Sequence, residues 1–185
     1  MLKNKEDIKQ CIQDDPWMME ILQTVAKLEL HDCWICAGFI RSKIWDTLHG
    51  FKERTPLPDI DVVYYDVTNS SQVIEKQYEE VLSDQMPQIP WSVQNQARMH
   101  IRNNVDPYLS TFDGIAKFPE TATALGAKLA EDNRLILAAP HGVEDVIHMQ
   151  IKPTPYFRES PDRMEVFQKR IREKNWHHIW REITY

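Results

Sequence analysis

Pro58-Asp59-Ile60-Asp61-Val62-Val63-Tyr64-Tyr65 decides the reading of this chain: two aspartates one residue apart open an apolar, β-branched run. A β-strand alternates its side chains between two faces, so Asp59 and Asp61 project to the same side, roughly 6.5–7 Å apart along the strand. Carboxylates that close repel each other unless protons or a cation sit between them. Mg²⁺ prefers oxygen ligands and is usually held by one or two carboxylates plus substrate phosphates, so the pair points to hard-cation chemistry. Asp-x-Asp is also a common solvated turn or strand edge, and the surrounding sequence has to decide between the two.

Upstream, Cys33 to Ala37 reads as a short buried strand ended by Gly38. A helix follows, with Ile40, Ile44, Trp45 and Leu48 on one face, and it stops at Gly50. A polar loop, Lys52-Glu53-Arg54-Thr55-Pro56-Leu57-Pro58, then leads into the aspartate strand. Glycine at a strand-to-helix junction lets a phosphate approach the backbone, and the helix N-terminus offers unpaired amides to an anion. Arg41, in the first turn, adds a possible bidentate phosphate contact. An anion-binding helix end near two acidic ligands is what a metal-bound nucleoside triphosphate needs.

Further out, Asp15-Pro16 reads as an N-cap with proline at the first helical position, opening a helix near residues 16–30. Asn69-Ser70-Ser71 caps a helix over roughly 71–85, and Trp91 to Gln96 reads as a strand. Residues 99–118 give no clear pattern beyond a short helix after Ser110-Thr111. Thr121 to Leu129 and Leu135 to Ala139 read as two strands around the turn 131–134, and helices are expected over 142–150 and 162–174. Helices and strands without strict βαβ repetition predict an α+β fold with a mixed β-sheet flanked by helices. At 185 residues the chain fits one domain, 1–185, with helical segments at 1–30 and 142–185 packed on the core.

The net charge of −6, from 28 acidic and 22 basic residues, argues against broad duplex-DNA binding but leaves room for a local basic cleft. No apolar run reaches the length of a membrane span, and the first residues lack the apolar stretch of a signal peptide, so a cytoplasmic protein is expected. Cys33-Trp34-Ile35-Cys36 has no second cysteine pair to complete a zinc site, and its apolar setting favours buried structural thiols over a redox pair. His177 and His178 are adjacent and point apart on a helix, which favours a packed tail over a metal site.

The segments Ala37-Gly38-Phe39-Ile40-Arg41, Trp45 to Gly50, Pro58 to Tyr64, Trp91 to His100 and Phe118 to Thr123 resemble an uncharacterised bacterial nucleotidyltransferase-like family of the DNA polymerase β-type superfamily. The resemblance implies a nucleotidyltransferase fold with the metal site at one sheet edge. It implies an enzyme that moves a nucleoside monophosphate from an NTP donor to an acceptor hydroxyl with Mg²⁺ or Mn²⁺, the acceptor being a small molecule, protein or RNA. Asp59 and Asp61 take the metal and catalytic roles, and Gly38, Phe39 and Arg41 the nucleotide side. Phe39 stands where a Gly or Ser is usual, and the interval from Gly38 to Asp59 is longer than usual, which makes the loop at 51–58 an insertion. The third core strand carries Ser92, Gln94 and Gln96 on one face and no acid, leaving Asp113 or Glu120 as alternatives for a third carboxylate. From the residues themselves, Asn95 and Arg98 are candidates for reading a base edge and holding a phosphate. The rival reading is a catalytically silent nucleotide-binding or interaction module with the same fold.

Overall fold

A computed structural model describes residues 2–185. Two N-terminal helices, α1 (Lys5–Gln13) and α2 (Pro16–Ala26), precede strand β1 (Trp34–Cys36), helix α3 (Gly38–Leu48) and strand β2 (Ile60–Tyr64). Helix α4 (Gln72–Gln85) and strand β3 (Trp91–Asn95) run straight into α5 (Gln96–Asn103), followed by α6 (Thr111–Ala116). The hairpin β4 (Gly126–Leu129) and β5 (Leu135–Ala138) then completes the sheet. Short helices α7 (Glu144–Ile147) and α8 (Pro155–Arg158), the long α9 (Pro161–Lys174) and a 3-10 turn at Trp176–His178 close the chain.

The five strands lie in the order β3-β2-β1-β4-β5, with β2 and β3 parallel and the other pairs antiparallel. The sheet is therefore mixed and the fold α+β. The two sheet faces are filled differently. Ile35, Ile60, Val62 and Tyr64 point into the main core with the buried residues of α1, α2 and α3. Trp34, Cys36 and Val63 point the other way, into a small cluster closed by Ile115, Ala124 and Ala138. Strand alternation puts Asp61 on that second, less covered face.

Edge strand β3 is protected by α4, whose Glu79 and Glu75 accept hydrogen bonds from the amides of Val93 (3.0 Å) and Asn95 (2.8 Å). Exposed amides on an edge would otherwise invite pairing with another chain. Cys33 and Cys36 are free thiols whose ionisation burial pushes up, Cys33 to about 12. Buried, protonated thiols are inert, in keeping with a structural role.

Several boundaries differ from the sequence expectation. Within the helical segment expected over 1–30, a separate helix α1, capped by Asn4 and anchored by Ile8 and Ile12, precedes the helix placed near 16–30. Residues 121–125 form a turn rather than strand, because the amides of Thr123 and Ala124 both donate to the Glu120 carbonyl. The helix expected over 142–150 shrinks to one turn between Gly142 (φ 79°) and Met149 (φ 54°). Gln96, expected in strand, begins α5, with Asn95 as its cap.

Candidate active site

A cleft of about 820 Å³ opens on the less covered sheet face. Its floor carries Asp59, Asp61 and Val63 of the β2 segment and Gln94 of β3, and the start of α3 contributes Ala37, Gly38, Arg41 and Ser42. The loop Thr55 to Pro58 forms one wall, and α9 with Trp176 and Trp180 forms another. Arg41, Arg102, Lys117, Arg163, Arg170 and Lys174 reach this space against two acids, so a chain of net negative charge has a locally basic cleft.

Asp59 lies just before β2 and is exposed, whereas Asp61 is half-buried within the strand. Across the sheet Asp61 sits opposite Cys36 on one side and Ser92 on the other. Burial pushes the Asp61 carboxyl up to about 6, Asp59 adds repulsion, and Arg170, Lys174 and Arg41 pull against both. Neither aspartate forms a hydrogen bond or ion pair within the described residues, although other carboxylates lining helices and loops are paired. A repelling, partnerless pair fits a divalent cation. Among the described residues no group of three or more His, Cys, Asp or Glu is placed to hold a metal ion, so the protein would give two carboxylates and leave the other positions to phosphate and water.

The start of α3 is unusual in two ways. No side chain caps it, so its first amides are left to a ligand or solvent. Ala37, the residue before it, adopts φ 57° and ψ −119°, a conformation that suits glycine. The position demanding backbone freedom is thus Ala37 and not Gly38, whose φ is not positive. A Cβ on Gly38 would lie 3.5 Å from Arg41 Nη2 and 3.8 Å from Leu57 Cδ2, which is ordinary contact. The register also places Phe39 in the core: its side chain is buried, with its ring 6.0 Å from that of Trp17. Phe39 is therefore not among the residues that line the cleft.

Arg41 is held in an aromatic cage. Its guanidinium carbon lies 5.1 Å from the Trp45 ring and 4.6 Å from the Trp176 ring, and it donates to Thr123 Oγ1 (3.3 Å) and Ser42 Oγ (3.4 Å). Burial lowers its pKa to about 10, against the attraction of Glu120, and it stays charged at neutral pH. The cage is itself anchored by Asp46. That carboxylate accepts from the Thr55 amide (2.9 Å), Thr55 Oγ1 (2.7 Å) and Trp180 Nε1 (2.8 Å), tying α3, the loop before the aspartates and the C-terminal tail together.

The remaining expected site residues lie elsewhere. Asn95 is fully buried: its Oδ1 accepts from the amides of Asp66 and Ala97, and its Nδ2 donates to the carbonyls of Asp66 and Asn69. Arg98 is paired with Glu75 at 2.6 Å. The structure brings neither to the cleft. Asp113 accepts from the Leu109 amide and from Lys117 at the start of α6, and Glu120 is fully buried against Arg170 at 2.6 Å. The sequence reading missed Arg170 and Lys174. Their seven- and eleven-residue spacing from Arg163 was a signal, since all three reach the cleft from α9.

A mixed sheet with paired acids beside an open helix end is the arrangement that the resemblance to nucleotidyltransferases leads one to expect. The model of a nucleotidyltransferase family matches residues 23–185, and the chain belongs to that family. It is similar to a protein whose NMR structure reveals a CCA-adding enzyme head domain: 36% identity over 99% of this chain and 96% of that one, with a TM-score of 0.87. A CCA-adding enzyme in complex with ATP shares the fold at 15% identity and TM-score 0.54, over 94% of this chain and 42% of that one. The Thermotoga maritima CCA-adding enzyme complexed with tRNA does so at 15% and 0.52, over 91% and 41%. The chain thus spans about two-fifths of the length of those two enzymes. A comparison with curated proteins gives no match. The chain is a nucleotidyltransferase by family and fold. No helix among the described residues is long and apolar enough to cross a membrane.

Proposed function

We propose that this nucleotidyltransferase moves a nucleoside monophosphate from an NTP to an acceptor hydroxyl, with Mg²⁺ or Mn²⁺ held at Asp59 and Asp61. The carrying observation is the partnerless carboxylate pair facing the same cleft as the uncapped start of α3. Gly38 admits the phosphates to the backbone, the α3 amides receive them, and Arg41 supplies fixed positive charge without reorganising on binding. In the transfer, the acceptor oxygen bonds to the α-phosphorus. The bond from that phosphorus to the bridging oxygen breaks, pyrophosphate leaves with the electron pair, and the hydroxyl proton passes to solvent. A bound divalent cation supplies charge neutralisation and acidifies the acceptor hydroxyl. Positioning and electrostatics then carry most of the rate enhancement.

The ATP complex of the CCA-adding enzyme supports the choice of donor class. The same reading takes residues 1–185 as one working unit, and the free thiols suit a reducing cytoplasm. The acceptor is a small molecule, protein or RNA that enters the basic cleft. Incubating the protein with α-labelled NTPs, Mg²⁺ or Mn²⁺ and a cell extract is expected to transfer label to one acceptor class, and Asp59→Asn or Asp61→Asn to stop it. NTP affinity unchanged in both variants overturns the assignment.

A further inference from the structure

Helix α9 brings cations to the aspartates from a part of the chain that the strand–Gly38–helix pattern does not include. Arg163, Arg170 and Lys174 all line the cleft and share one helix face, spaced about 10 Å and 6 Å along the axis. Arg170 and Lys174 lie on the α9 wall of the cleft whose floor carries Asp59 and Asp61. Yet neither cation forms an ion pair with Asp59 or Asp61; Arg170 pairs with Glu120 and Lys174 has no acidic partner among the described residues. Cations that face two carboxylates across open space, without touching them, leave room for an anion between.

Glu120 explains how Arg170 is aimed. A fully buried carboxylate is costly unless it is paired, and Glu120 Oε1 accepts from Arg170 Nε at 2.6 Å while Oε2 has no partner. The pairing uses Nε and fixes the guanidinium plane, and among the described residues neither terminal nitrogen of Arg170 has a hydrogen-bond acceptor. A planar fork with free terminal nitrogens suits bidentate binding of a phosphate. Arg163, by contrast, is stacked on Tyr156 at 3.9 Å and lies near Glu159 at 3.6 Å.

We propose that Arg170 and Lys174 form a second phosphate-binding wall of the cleft, distinct from the start of α3, that takes the pyrophosphate end of the donor. This deepens the donor assignment above and rests on it for the identity of the ligand, but the wall itself is testable without nucleotide or metal. Titration calorimetry with inorganic pyrophosphate in chelator, at constant ionic strength, reads it directly. Wild type is expected to bind. Arg170→Gln is expected to weaken binding about 10- to 100-fold, as for loss of a hydrogen bond to a charged group, and Lys174→Gln by about ten-fold. Arg170→Lys, which keeps the charge and loses the fork, falls between. Arg172→Gln, on the same helix but outside the cleft, leaves binding unchanged. Thermal melts confirm that each variant is folded.

Absence of pyrophosphate binding by folded wild type overturns the wall, as does equal binding by wild type and Arg170→Gln. So does an Arg172→Gln loss as large as that of Arg170→Gln, because the attraction would then be diffuse. Titration with Mg-NTP separates this from the donor assignment. Wild-type Mg-NTP binding that Arg170→Gln leaves intact removes the wall and keeps the assignment. Pyrophosphate binding that depends on Arg170, with no Mg-NTP binding, keeps the wall and removes the assignment.

Discussion

Helices α2 and α3 begin in opposite ways. At α2, Asp15 caps the helix by accepting from the Met18 amide at 3.2 Å, with Pro16 at the first helical position. Lys43 and Arg54 then neutralise that carboxylate, each at 2.8 Å. At α3 no side chain caps, the preceding Ala37 is strained, and the charge nearby is the caged Arg41. One helix end brings its own anion and two cations to match. The other keeps a cation and an open end, and so has use for an anion from outside. A helix start is thus either structural or receptive according to whether the chain fills it.

The largest test of that contrast concerns the acids that the open end faces. Asp59→Asn and Asp61→Asn are each expected to weaken Mg-dependent NTP binding by about 100-fold or more, because a metal held by two carboxylates loses half its protein charge. Melting temperature should hold or rise, since one member of a repelling pair is removed; calorimetry with and without Mg²⁺ reads both effects. Loss of the filled end comes next. Asp15→Ala removes a cap and strands two cations, so stability falls by about 2 kcal/mol in denaturant melts while NTP affinity stays unchanged. Although burial opposes it, hydrogen bonding to Lys43 and Arg54 lowers the Asp15 pKa below its ordinary value. Its contribution is therefore present at neutral pH and lost as pH falls from the unfolded value, about 3.9, through the lower folded one. The stability gap between wild type and Asp15→Ala should close in that acid range.

Gly38→Ala partly closes the receptive end. Its methyl group fits, so the fold survives, but the backbone no longer admits a phosphate as closely; about a ten-fold rise in the Kd for NTP is expected. The smallest effect is expected for Ala37→Gly. Relief of an unfavourable backbone conformation outweighs the entropy cost of glycine, for a gain of about 1 kcal/mol in a denaturant melt.

The same contrast shows what the sequence could disclose. Asp15-Pro16 and Asp59-x-Asp61 were legible because a cap and a strand alternation are local geometry, fixed within a few residues. Gly38 and Arg41 were legible as a neighbourhood, but the strained position proved to be Ala37, since only the backbone angles distinguish it from its neighbour. Asn95 and Arg98 look functional in one dimension because polar side chains at a strand end resemble a binding edge. In the fold they satisfy α4, α5 and the loop after β2. Arg170 and Lys174 were passed over for the reverse reason: their spacing from Arg163 marks a shared helix face, but a charged amphipathic helix reads as a solvated face until tertiary packing turns part of it towards the aspartates. Glu120, one of two open alternatives for a third carboxylate, is paired with one of those cations, and Asp113 with Lys117.

The knot at Asp46 has a consequence for the timing of synthesis. Its bond to Trp180 spans 134 residues, and Trp176, which covers Arg41, lies only four residues earlier. Contacts this distant in sequence cannot form on a nascent chain until both partners have left the ribosome. The sheet and its two aspartates are translated well before the aromatic cage is complete. A ribosome-bound intermediate stopped before Trp176 would therefore carry the acids with Arg41 still uncaged. Competence to grip an anion there would arrive only once Trp176 and Trp180 have been made.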